Sequence, residues 1–462
     1  MEQEKLKKND ELEIEIIRLG ANGEGVAVRN GIVIFVPFAL VGERVLVHII
    51  NDKNSFLIAK IIKFLRVSEE RVVPPCPYFE KCGGCDIQHM PYHMQLEFKK
   101  EMVKNSLEKY GKIYTEINDV VPSDKEYRYR NKFAFPVVEE DGVLKIGMYR
   151  KNSHDVVSIE DCMLQSENVK MIIYLFKEFM LTNKISAYDE ETKSGTVKHI
   201  VVREHDGAFI LTVVVANEMF EYFEPLIEKL NMHFEKFGIV KNVNILHNNV
   251  IFGNFDQHIY GINELDFHEF GVDYSVNNRS FLQVNDYIKK EIYQTILSVI
   301  SGEENVIDAY SGAGLLTSII AKHCDHVWGV EIIKEATENA NNLKNKNNLY
   351  NLININGDCA EVIPALAKEL NGDFVVVVDP PRKGLDKKVL DAFLESKPKR
   401  IIYLSCNPAT LARDLADLKQ DYDIEFVQPY DMFPQTANVE TLVCLKLSQS
   451  KVYSIKDEQI EN

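Results

Sequence analysis

Residues 305–316, NVIDAYSGAGLL, decide the fold of the last third of the chain: an apolar run enters a glycine-rich turn and a second apolar run leaves it. This pattern predicts a strand, a tight turn and a helix. Residues 326–331, HVWGVE, predict a second strand that ends in Glu331, 21 positions after Tyr310. Together they predict the doubly wound plan of parallel strands and helices that binds nucleotides.

The turn and the acid also indicate the kind of ligand. Gly312 and Gly314 allow a cofactor to approach the backbone, and Glu331 is placed to bind the two hydroxyls of a ribose. A Gly-x-Gly order without a third spaced glycine favours S-adenosylmethionine over a dinucleotide. Asp358 follows a third predicted strand, where it either faces the adenine or caps a helix.

Two further strands carry the residues that indicate the chemistry. Residues 374–384, FVVVVDPPRKG, predict a buried strand that delivers Asp379 to the carboxyl edge of the sheet, to bind a base edge or the donor's amine. The next strand delivers Cys406, 27 positions after Asp379, to the same edge. Carbon 5 of uracil becomes nucleophilic only after a thiolate adds to carbon 6, so a cysteine beside a methyl donor indicates covalent transfer to a pyrimidine.

The remaining requirement is a base and an activated thiol. Glu440, in residues 432–441, MFPQTANVET, begins the predicted last strand and is the candidate base, although a lone glutamate there is more often a surface residue. A helix that begins near Ala409 is expected to lower the pKa of Cys406. The plainer interpretation of Cys406 is a core thiol, as we infer for Cys324, Cys359 and Cys444.

The N-terminal 66 residues predict five short strands separated by turn glycines, at 12–17, 25–28, 32–36, 44–49 and 56–64. This spacing is typical of a small barrel of the oligonucleotide-binding type, or of a generic barrel without a nucleic-acid role. The runs 20–27, GANGEGVA, and 35–43, FVPFALVGE, resemble the TRAM domain of RNA-modifying enzymes. The resemblance favours an RNA-binding barrel.

Four cysteines form a candidate metal site. Cys76, Cys82 and Cys85 lie in CPYFEKCGGC, and Cys162 follows in SIEDCM. A tight Cys-x5-Cys-x2-Cys turn with a distant thiolate favours a [4Fe-4S] cluster, because four-thiolate zinc sites more often pair two short knuckles. Zinc and unligated cysteines are the alternatives, and the expected role of a cluster is structural.

The central region is expected to be an α+β domain with a faint RNA signal. A helix is predicted from Tyr92 to Tyr110, with strands near 131–138, 143–149, 197–204 and 208–215. The run 127–132, YRYRNK, alternates aromatic and basic residues, so Arg128, Arg130 and Lys132 are candidates for RNA contacts. A charged strand face at a surface is the commoner explanation.

The composition limits the classes of protein. The net charge of −17 argues against nonspecific coating of nucleic acid, so local basic patches must carry any RNA contact. No apolar span approaches the roughly 18 residues that cross a bilayer, and no secretory signal follows the charged first residues, so we expect a soluble, cytoplasmic protein without a membrane role. No protein partner is implied.

A multidomain chain is predicted: a barrel at 1–66, a cysteine-rich segment at 67–92, a central domain at 93–283 that supplies Cys162, a Rossmann-like methyltransferase domain at 284–450 and a polar tail at 451–462.

With these motifs in place, the chain resembles the RNA (uracil-5-)-methyltransferase family, in the branch that carries a TRAM domain and a [4Fe-4S] cluster and acts on 23S rRNA. The resemblance implies Cys406 as nucleophile and Glu440 as base. It implies donor binding by Gln283 in SFLQVN, by Tyr310, by Glu331 and by Asp379, and cluster ligation by the four spaced cysteines. Family members often carry His two residues before the base, where this chain has Asn438.

The expected function is therefore S-adenosylmethionine-dependent methylation of carbon 5 of a uridine in structured 23S rRNA, flipped out of its stack. A tRNA uridine enzyme and a noncatalytic iron-sulfur RNA-binding protein are the alternatives. A cytosine-5 enzyme would usually carry a cysteine directly after the proline of the strand-four motif, where Arg382 follows Pro381. An adenine amino-methyltransferase would want an aromatic residue there.

Overall fold

The computed structural model describes residues 6–246, 249–302 and 304–448, so the predicted polar tail at 451–462 lies outside the described residues. The chain divides into two compact units. The first comprises the chain through Phe98, Lys125–Leu265 and Phe433–Ala437, and the second comprises Lys99–Asp124, Asp266–Met432 and the chain from Asn438 onward.

The first unit begins with a small barrel, as predicted. Its strands are β1 (Glu11–Glu15), β2 (Arg18–Leu19), β3 (Gly25–Arg29), β4 (Ile32–Val36), β5 (Arg44–Asp52) and β6 (Phe56–Arg66). They are paired in the order β1-β5-β6-β4-β3-β2. The two edge strands, β1 and β2, are separated by only Ile16 and Ile17 and so form one continuous stretch of chain, which closes the sheet into a barrel. The amides of Ile16 and Ile17 donate to the carbonyl oxygens of Glu43 and Val26. At Gly25 a Cβ would come within 2.8 Å of Ala39, which explains a glycine there.

The rest of the first unit contains a seven-stranded sheet, two complete helices and the first turns of the helix that begins at Tyr92. Along the chain follow α1 (Tyr92–Ser106), β7 (Lys132–Glu140), β8 (Val143–Tyr149), β9 (Val156–Ser158), α2 (Asn168–Thr182), β10 (Val197–His205), β11 (Ala208–Val215), α3 (Glu224–Asn231), β12 (Phe237–Val243) and β13 (Phe255–Gly261). The strand order is β13-β12-β11-β10-β7-β8-β9. The apolar faces of α2 and α3 pack into one core with this sheet. The four strands predicted in this region are present as β7, β8, β10 and β11, whereas β9, β12 and β13 were not predicted.

The second unit contains a hairpin and a doubly wound sheet. The hairpin is β14 (Leu265–Glu269) with β15 (Val272–Val276), and α4 (Asp286–Ser298) follows. Then come β16 (Asn305–Ala309), α5 (Leu315–Ala321), β17 (His326–Glu331), α6 (Lys334–Lys346), β18 (Leu352–Asn356), α7 (Cys359–Glu369), β19 (Val375–Val378), α8 (Lys387–Ser396), β20 (Arg400–Ser405), α9 (Pro408–Leu418), β21 (Tyr422–Tyr430) and β22 (Glu440–Leu447). The strand order is β18-β17-β16-β19-β20-β22-β21.

The pairing in this sheet determines where a site can form. The first five strands in that order are mutually parallel, and β22 pairs antiparallel with both β20 and β21. All four valines of β19 are buried, as a strand covered on both faces requires. The ends of β16, β17, β19 and β20 therefore meet at one edge, together with the start of β22.

The contact grouping differs from the predicted domain boundaries at α1. Val103, Leu107 and Ile113 pack into the core of the second unit, because the apolar face of this helix continues through a π-helical turn at Leu107–Gly111. The domain boundary at residue 93 thus stays a prediction from the sequence. By its contacts, the chain passes from the first unit to the second at Lys99. Within the described residues, no helix is both long and apolar enough to cross a membrane.

Candidate active site and cysteine cavity

The turn between β16 and α5 has the left-handed backbone that its glycines predict. Gly312 has φ 55° and Gly314 has φ 80°, and Tyr310 adopts φ 63° despite its side chain. A Cβ on Gly314 would lie 2.7 Å from the Cβ of Ala340, so only glycine fits against α6. A non-glycine residue in this region is uncommon and typical of functional turns, which is consistent with the donor role predicted for Tyr310.

Glu331 fixes this turn from the neighbouring strand. One carboxylate oxygen accepts from the amide of Gly312 at 3.0 Å, and the other accepts from the amide of Ile333 at 2.8 Å. The side chain is nearly buried at the end of β17. The structure therefore gives Glu331 a defined orientation beside the glycine turn, and its contact with a ribose stays a prediction.

Two further predicted donor residues, Asp358 and Gln283, lie at or just before helix starts. Asp358 is exposed, and its side chain accepts from the amide of Ala360 at 2.9 Å, so it caps α7. Helix capping is one of the two roles that the sequence predicts for Asp358. Gln283 is half-buried just before Asn285, which caps α4 by accepting from the amide of Ile288. Contacts of Asp358 and Gln283 with a donor stay predictions.

Asp379 belongs to a group of desolvated acids at the carboxyl edge. Burial raises its pKa to about 7. Burial also raises the pKa of Asp308 to about 7, and the charges of Asp379 and Glu331 contribute to that shift. Asp308 was missed, although an acid within the apolar strand NVIDA was an available signal; the hydroxyl of Thr317 donates to it at 2.5 Å.

Cys406 and Glu440 occupy neighbouring positions at the same edge. In the antiparallel pair of β20 and β22, Ser405 is opposite Thr441. Cys406 directly follows Ser405 and Glu440 directly precedes Thr441, and the charge of the Glu440 carboxylate raises the pKa of the thiol. Glu440 is buried and Cys406 is half-buried.

The electrostatics of this pair differ from the expectation for the thiol. Burial is the main cause that raises the pKa of Cys406, and the charges of Glu440 and Asp379 raise it further. The pKa of Cys406 is thus raised, not lowered as predicted from the start of α9, because burial and the charges of the two carboxylates outweigh the lowering by Arg382. Burial, followed by the charge of Asp379, raises the pKa of Glu440 well above the usual range, and Arg382 lowers both pKa values.

Arg382 was not singled out as a functional residue, yet its loop is firmly held. Its carbonyl oxygen accepts from the side-chain amide of Asn407 at 3.2 Å and from the hydroxyl of Thr410 at 3.3 Å. The carboxylate of Asp414, fully buried, accepts from the amide of Leu385 at 2.8 Å. The residues that follow Cys406 thus hold the loop that carries Asp379 and Arg382.

The four cysteines predicted as ligands line one cavity in the first unit. The cavity has a volume of about 270 Å³ and is lined by Cys76, Cys82, Cys85 and Cys162. In the part of the chain that the structure describes, no group of three or more His, Cys, Asp or Glu side chains is arranged so that it could hold a metal ion. The thiols instead surround a space, and burial raises the pKa of Cys82 to about 11.

Polar groups face the same cavity. The amide of Gly84 donates to the sulfur of Cys82 at 3.3 Å, and the amides of Leu164 and Gln165 donate to Cys162. Among the described residues, three buried atoms of the lining side chains lack a hydrogen-bond partner: Gln88 Oε1, Gln165 Oε1 and Arg130 Nε. Amide donors on sulfur and unsatisfied polar atoms fit a group with polar character inside the cavity.

The predicted RNA contacts have structural partners. Arg128 makes a bidentate pair with Asp161, at 2.8 and 2.6 Å, which braces the loop that carries Cys162. Arg130 lines the cysteine cavity, and its charge lowers the pKa of Cys162. Burial, followed by the charge of Arg203, lowers the pKa of Lys132 to about 8. Their RNA contacts stay predictions.

A doubly wound sheet with an antiparallel seventh strand, a glycine turn and an acid at the end of the second strand defines the class of Rossmann-like methyltransferase domains. Residues 91–448 match the tRNA (uracil-5-)-methyltransferase family, and residues 5–62 match the TRAM domain. The chain belongs to the tRNA (uracil-5-)-methyltransferase family and carries an N-terminal TRAM domain.

Relatives match along nearly the whole chain. An uncharacterised RNA methyltransferase of Listeria innocua is 36% identical and covers 97% of this chain and 100% of its own length. One from Clostridium acetobutylicum is 37% identical over 96% of this chain and 98% of its own length. The solved structure of Pyrococcus abyssi tRNA (uracil-54, C5)-methyltransferase with S-adenosyl-L-homocysteine matches with a TM-score of 0.78 and 28% identity, covering 94% of this chain and 99% of that one.

Proposed function

We propose that this protein methylates carbon 5 of a uridine in RNA, with 23S rRNA as its substrate, through a covalent adduct to Cys406. The observation that carries the proposal is that Cys406 and Glu440 adjoin the paired residues Ser405 and Thr441, at the edge where Asp379 and Arg382 also lie. A nucleophile and a base at the adjoining ends of two paired strands are what addition to carbon 6 and proton removal from carbon 5 require.

The thiolate of Cys406 forms a bond to carbon 6 of a uridine that has flipped out of its stack, and the electrons of the 5,6 double bond move toward oxygen 4. S-adenosylmethionine, when bound, supplies an electrophilic methyl group. Glu440 then removes the proton from carbon 5, the sulfur–carbon bond breaks, and the thiolate of Cys406 leaves. Arg382 favours the charged forms of both side chains.

The residues proposed to hold the donor are Gln283, Tyr310, Gly312, Gly314, Glu331, Asp358 and Asp379. The left-handed turn and the two amide contacts of Glu331 support this assignment. A turn without side chains at Gly312 and Gly314 lets a nucleoside approach the backbone, and a fixed carboxylate beside it suits a pair of ribose hydroxyls.

We propose that Cys76, Cys82, Cys85 and Cys162 hold a [4Fe-4S] cluster. The cavity volume of about 270 Å³ favours a polynuclear cluster over one zinc ion, because tetrahedral zinc draws its four sulfurs to about 2.3 Å from a single point. The amide donors on Cys82 and Cys162 suit cluster thiolates. The cluster would supply cross-linking of the segment after the barrel to the loop that carries Cys162.

A second candidate substrate is tRNA, because the Pyrococcus abyssi enzyme is described as a tRNA methyltransferase and matches nearly the whole chain. The combination of TRAM domain and cysteine site favours rRNA through the resemblance described above. We propose that the chain is organised in the five predicted segments. We also propose that the protein acts in the cytoplasm.

The test is release of tritium from carbon-5-labelled, unmodified 23S rRNA and tRNA transcripts, with S-adenosylmethionine, for the wild type and for Cys406→Ala. Release from rRNA alone, lost in the variant, supports the proposal. Release from tRNA alone keeps the mechanism and overturns the rRNA assignment. No release from either, with iron and sulfide at four per chain, would favour the noncatalytic binding protein.

A further inference from the structure

The segment that leads to Glu440 belongs by its contacts to the first unit. We call Phe433–Ala437 the anchor segment; it is followed by Asn438, Val439 and then Glu440. Only two residues separate it from the proposed base. The anchor segment is therefore the part of the backbone that leads into the start of β22, where Glu440 pairs with Tyr430 of β21.

The anchor segment is bound directly to the cysteine segment. The amides of Asp86 and Ile87 both donate to the carbonyl oxygen of Gln435, at 3.0 and 3.2 Å. The carboxylate of Asp86 accepts from the amide of Ala437 at 3.3 Å. Asp86 is the residue after Cys85, so one peptide connects a proposed cluster ligand to this anchor.

Two other elements complete the attachment. Gln95 of α1 donates to the side-chain oxygen of Gln435 at 2.9 Å and accepts from its amide at 3.0 Å. Both glutamine side chains are almost completely buried, so no water competes for these bonds. The hydroxyl of Tyr129 donates to the carbonyl oxygen of Pro434 at 3.1 Å.

The backbone of the anchor segment depends on these contacts. Gln435 adopts φ 70°, in the left-handed region that a residue with a side chain rarely enters. Two hydrogen bonds with the side chain of Gln95 and two from backbone amides of the cysteine segment hold Gln435 in this conformation. Without them the segment would be free to relax to a more common conformation and change the path toward Glu440.

We infer that Asp86 and Gln95 are positioning residues that place Glu440 through the anchor segment, so that the cysteine site and the base share one backbone support. The inference rests on the proposed role of Glu440 as the base. It concerns the second half of the reaction only: addition of Cys406 and methyl transfer precede proton removal, and neither needs Glu440 in place.

The variants Gln95→Ala and Asp86→Ala therefore accumulate a methylated covalent enzyme–RNA adduct. A misplacement of about 1 Å costs on the order of a hundredfold in the step concerned, so the adduct should persist for that much longer than in the wild type. Asp86→Asn keeps an oxygen acceptor for the amide of Ala437 and should restore turnover. Donor affinity should stay at the wild-type value in all three.

The measurement is the fraction of enzyme in a denaturation-resistant complex with RNA, labelled from radioactive S-adenosylmethionine, alongside iron content and the absorption spectrum. Glu440→Gln is the positive control, and Asp155→Ala, an exposed side chain of the same unit, is the matched control. If Glu440→Gln accumulates no adduct, the proposed function fails. If it does and neither Gln95→Ala nor Asp86→Ala does, or if Asp155→Ala accumulates as much, the inference is overturned.

Discussion

Cys406 and Glu440 flank the Ser405–Thr441 pair that joins β20 to β22, with Cys406 directly after Ser405 and Glu440 directly before Thr441. The charge of Glu440 raises the pKa of the thiol, while burial and the charge of Asp379 raise the pKa of Glu440 well above its usual range. A base with a raised pKa suits proton removal near neutral pH. The raised pKa of Cys406 favours the protonated thiol before substrate binds, and the charge of Arg382 lowers this pKa.

Replacing Arg382 with Gln should move the acidic limb of the pH–rate profile to higher pH. The guanidinium lowers the pKa of Cys406 and of Glu440, and both groups must lose a proton to act. Without it both pKa values rise, so activity at neutral pH falls and recovers as the pH increases. Arg382→Lys keeps the charge and should keep the limb near its original place. The measurement is kcat/KM for tritium release against pH; an unmoved limb in Arg382→Gln contradicts the role.

Replacing Asp308 with Asn should stabilise the protein at alkaline pH. In the folded state burial raises the pKa of Asp308 to about 7, above its usual value of 3.8. The folded state thus holds a proton that the unfolded state has lost, and stability falls as the pH rises from about 4 to about 7. The difference corresponds to at most about 4 kcal/mol.

Thermal unfolding of Asp308→Asn and of the wild type checks this. We expect equal midpoints near pH 4 and a higher midpoint for the variant near pH 8, since Asn can still accept from the hydroxyl of Thr317. A variant that is less stable at both pH values would show that the carboxylate itself supports the fold.

The sequence predicted the doubly wound sheet because its signals are local. A glycine turn needs a particular backbone, a fully buried strand needs a run such as the valines of β19, and both are visible in a short window. The strands β12 and β13 escaped because their pattern is weaker: β12 is buried at every position and β13 is largely exposed, so neither alternates clearly.

The order of residues along the chain was enough to place Cys406, Asp379 and Glu440 at one edge, because strand ends meet there in any sheet of this plan. The order of residues was not enough to predict the pKa of Cys406, which depends on how deeply the thiol is buried and on which charges lie near it. The attachment of the anchor segment was also out of reach, since Gln95 and Gln435 are 340 positions apart.

Replacing His89 with Phe should remove an acid-sensitive contribution to stability. His89 is fully buried beside the rings of Phe38 and Phe79, and in the described part of the chain neither ring nitrogen has a hydrogen-bond partner. Burial, with the charge of Arg71, lowers its pKa from 6.5 to about 3. The unfolded chain takes up the proton first, so stability is complete above pH 6.5 and is lost as the pH falls toward 3.

The loss amounts to at most about 5 kcal/mol for this side chain. Urea unfolding at neutral pH and near pH 4 should show a smaller decrease for His89→Phe than for the wild type. An aromatic ring of similar size preserves the contacts with Phe38 and Phe79. Equal decreases in the two proteins would show that other groups cause the acid sensitivity.

Adjacent glycines in the cysteine segment should respond differently to alanine. A Cβ on Gly83 would lie 2.9 Å from the carbonyl oxygen of Tyr149 and 3.0 Å from the amide of Lys151, so backbone must move and Cys82 with it. A Cβ on Gly84 meets only the sulfur of Cys82, at 3.4 Å, and Met148 at 3.6 Å, which are ordinary contacts. We expect Gly83→Ala to bind much less iron per chain than Gly84→Ala. The measurement is the iron and sulfide content per chain of the two variants. Equal contents would mean that the loop adapts to the added methyl group.

Removing iron from the cysteine site should loosen one amide of the anchor segment more than another. The amide of Ala437 is held by Asp86, next to Cys85, whereas the amide of Gln435 is held by Gln95 of α1. Loss of the proposed cluster frees the cysteine segment and leaves α1 in place, so hydrogen exchange should accelerate at Ala437 and stay slow at Gln435. Residue-resolved exchange before and after chelation measures both amides in the same sample. Acceleration at both would indicate general unfolding of the unit, and no change at Ala437 would separate the cysteine site from the support of Glu440.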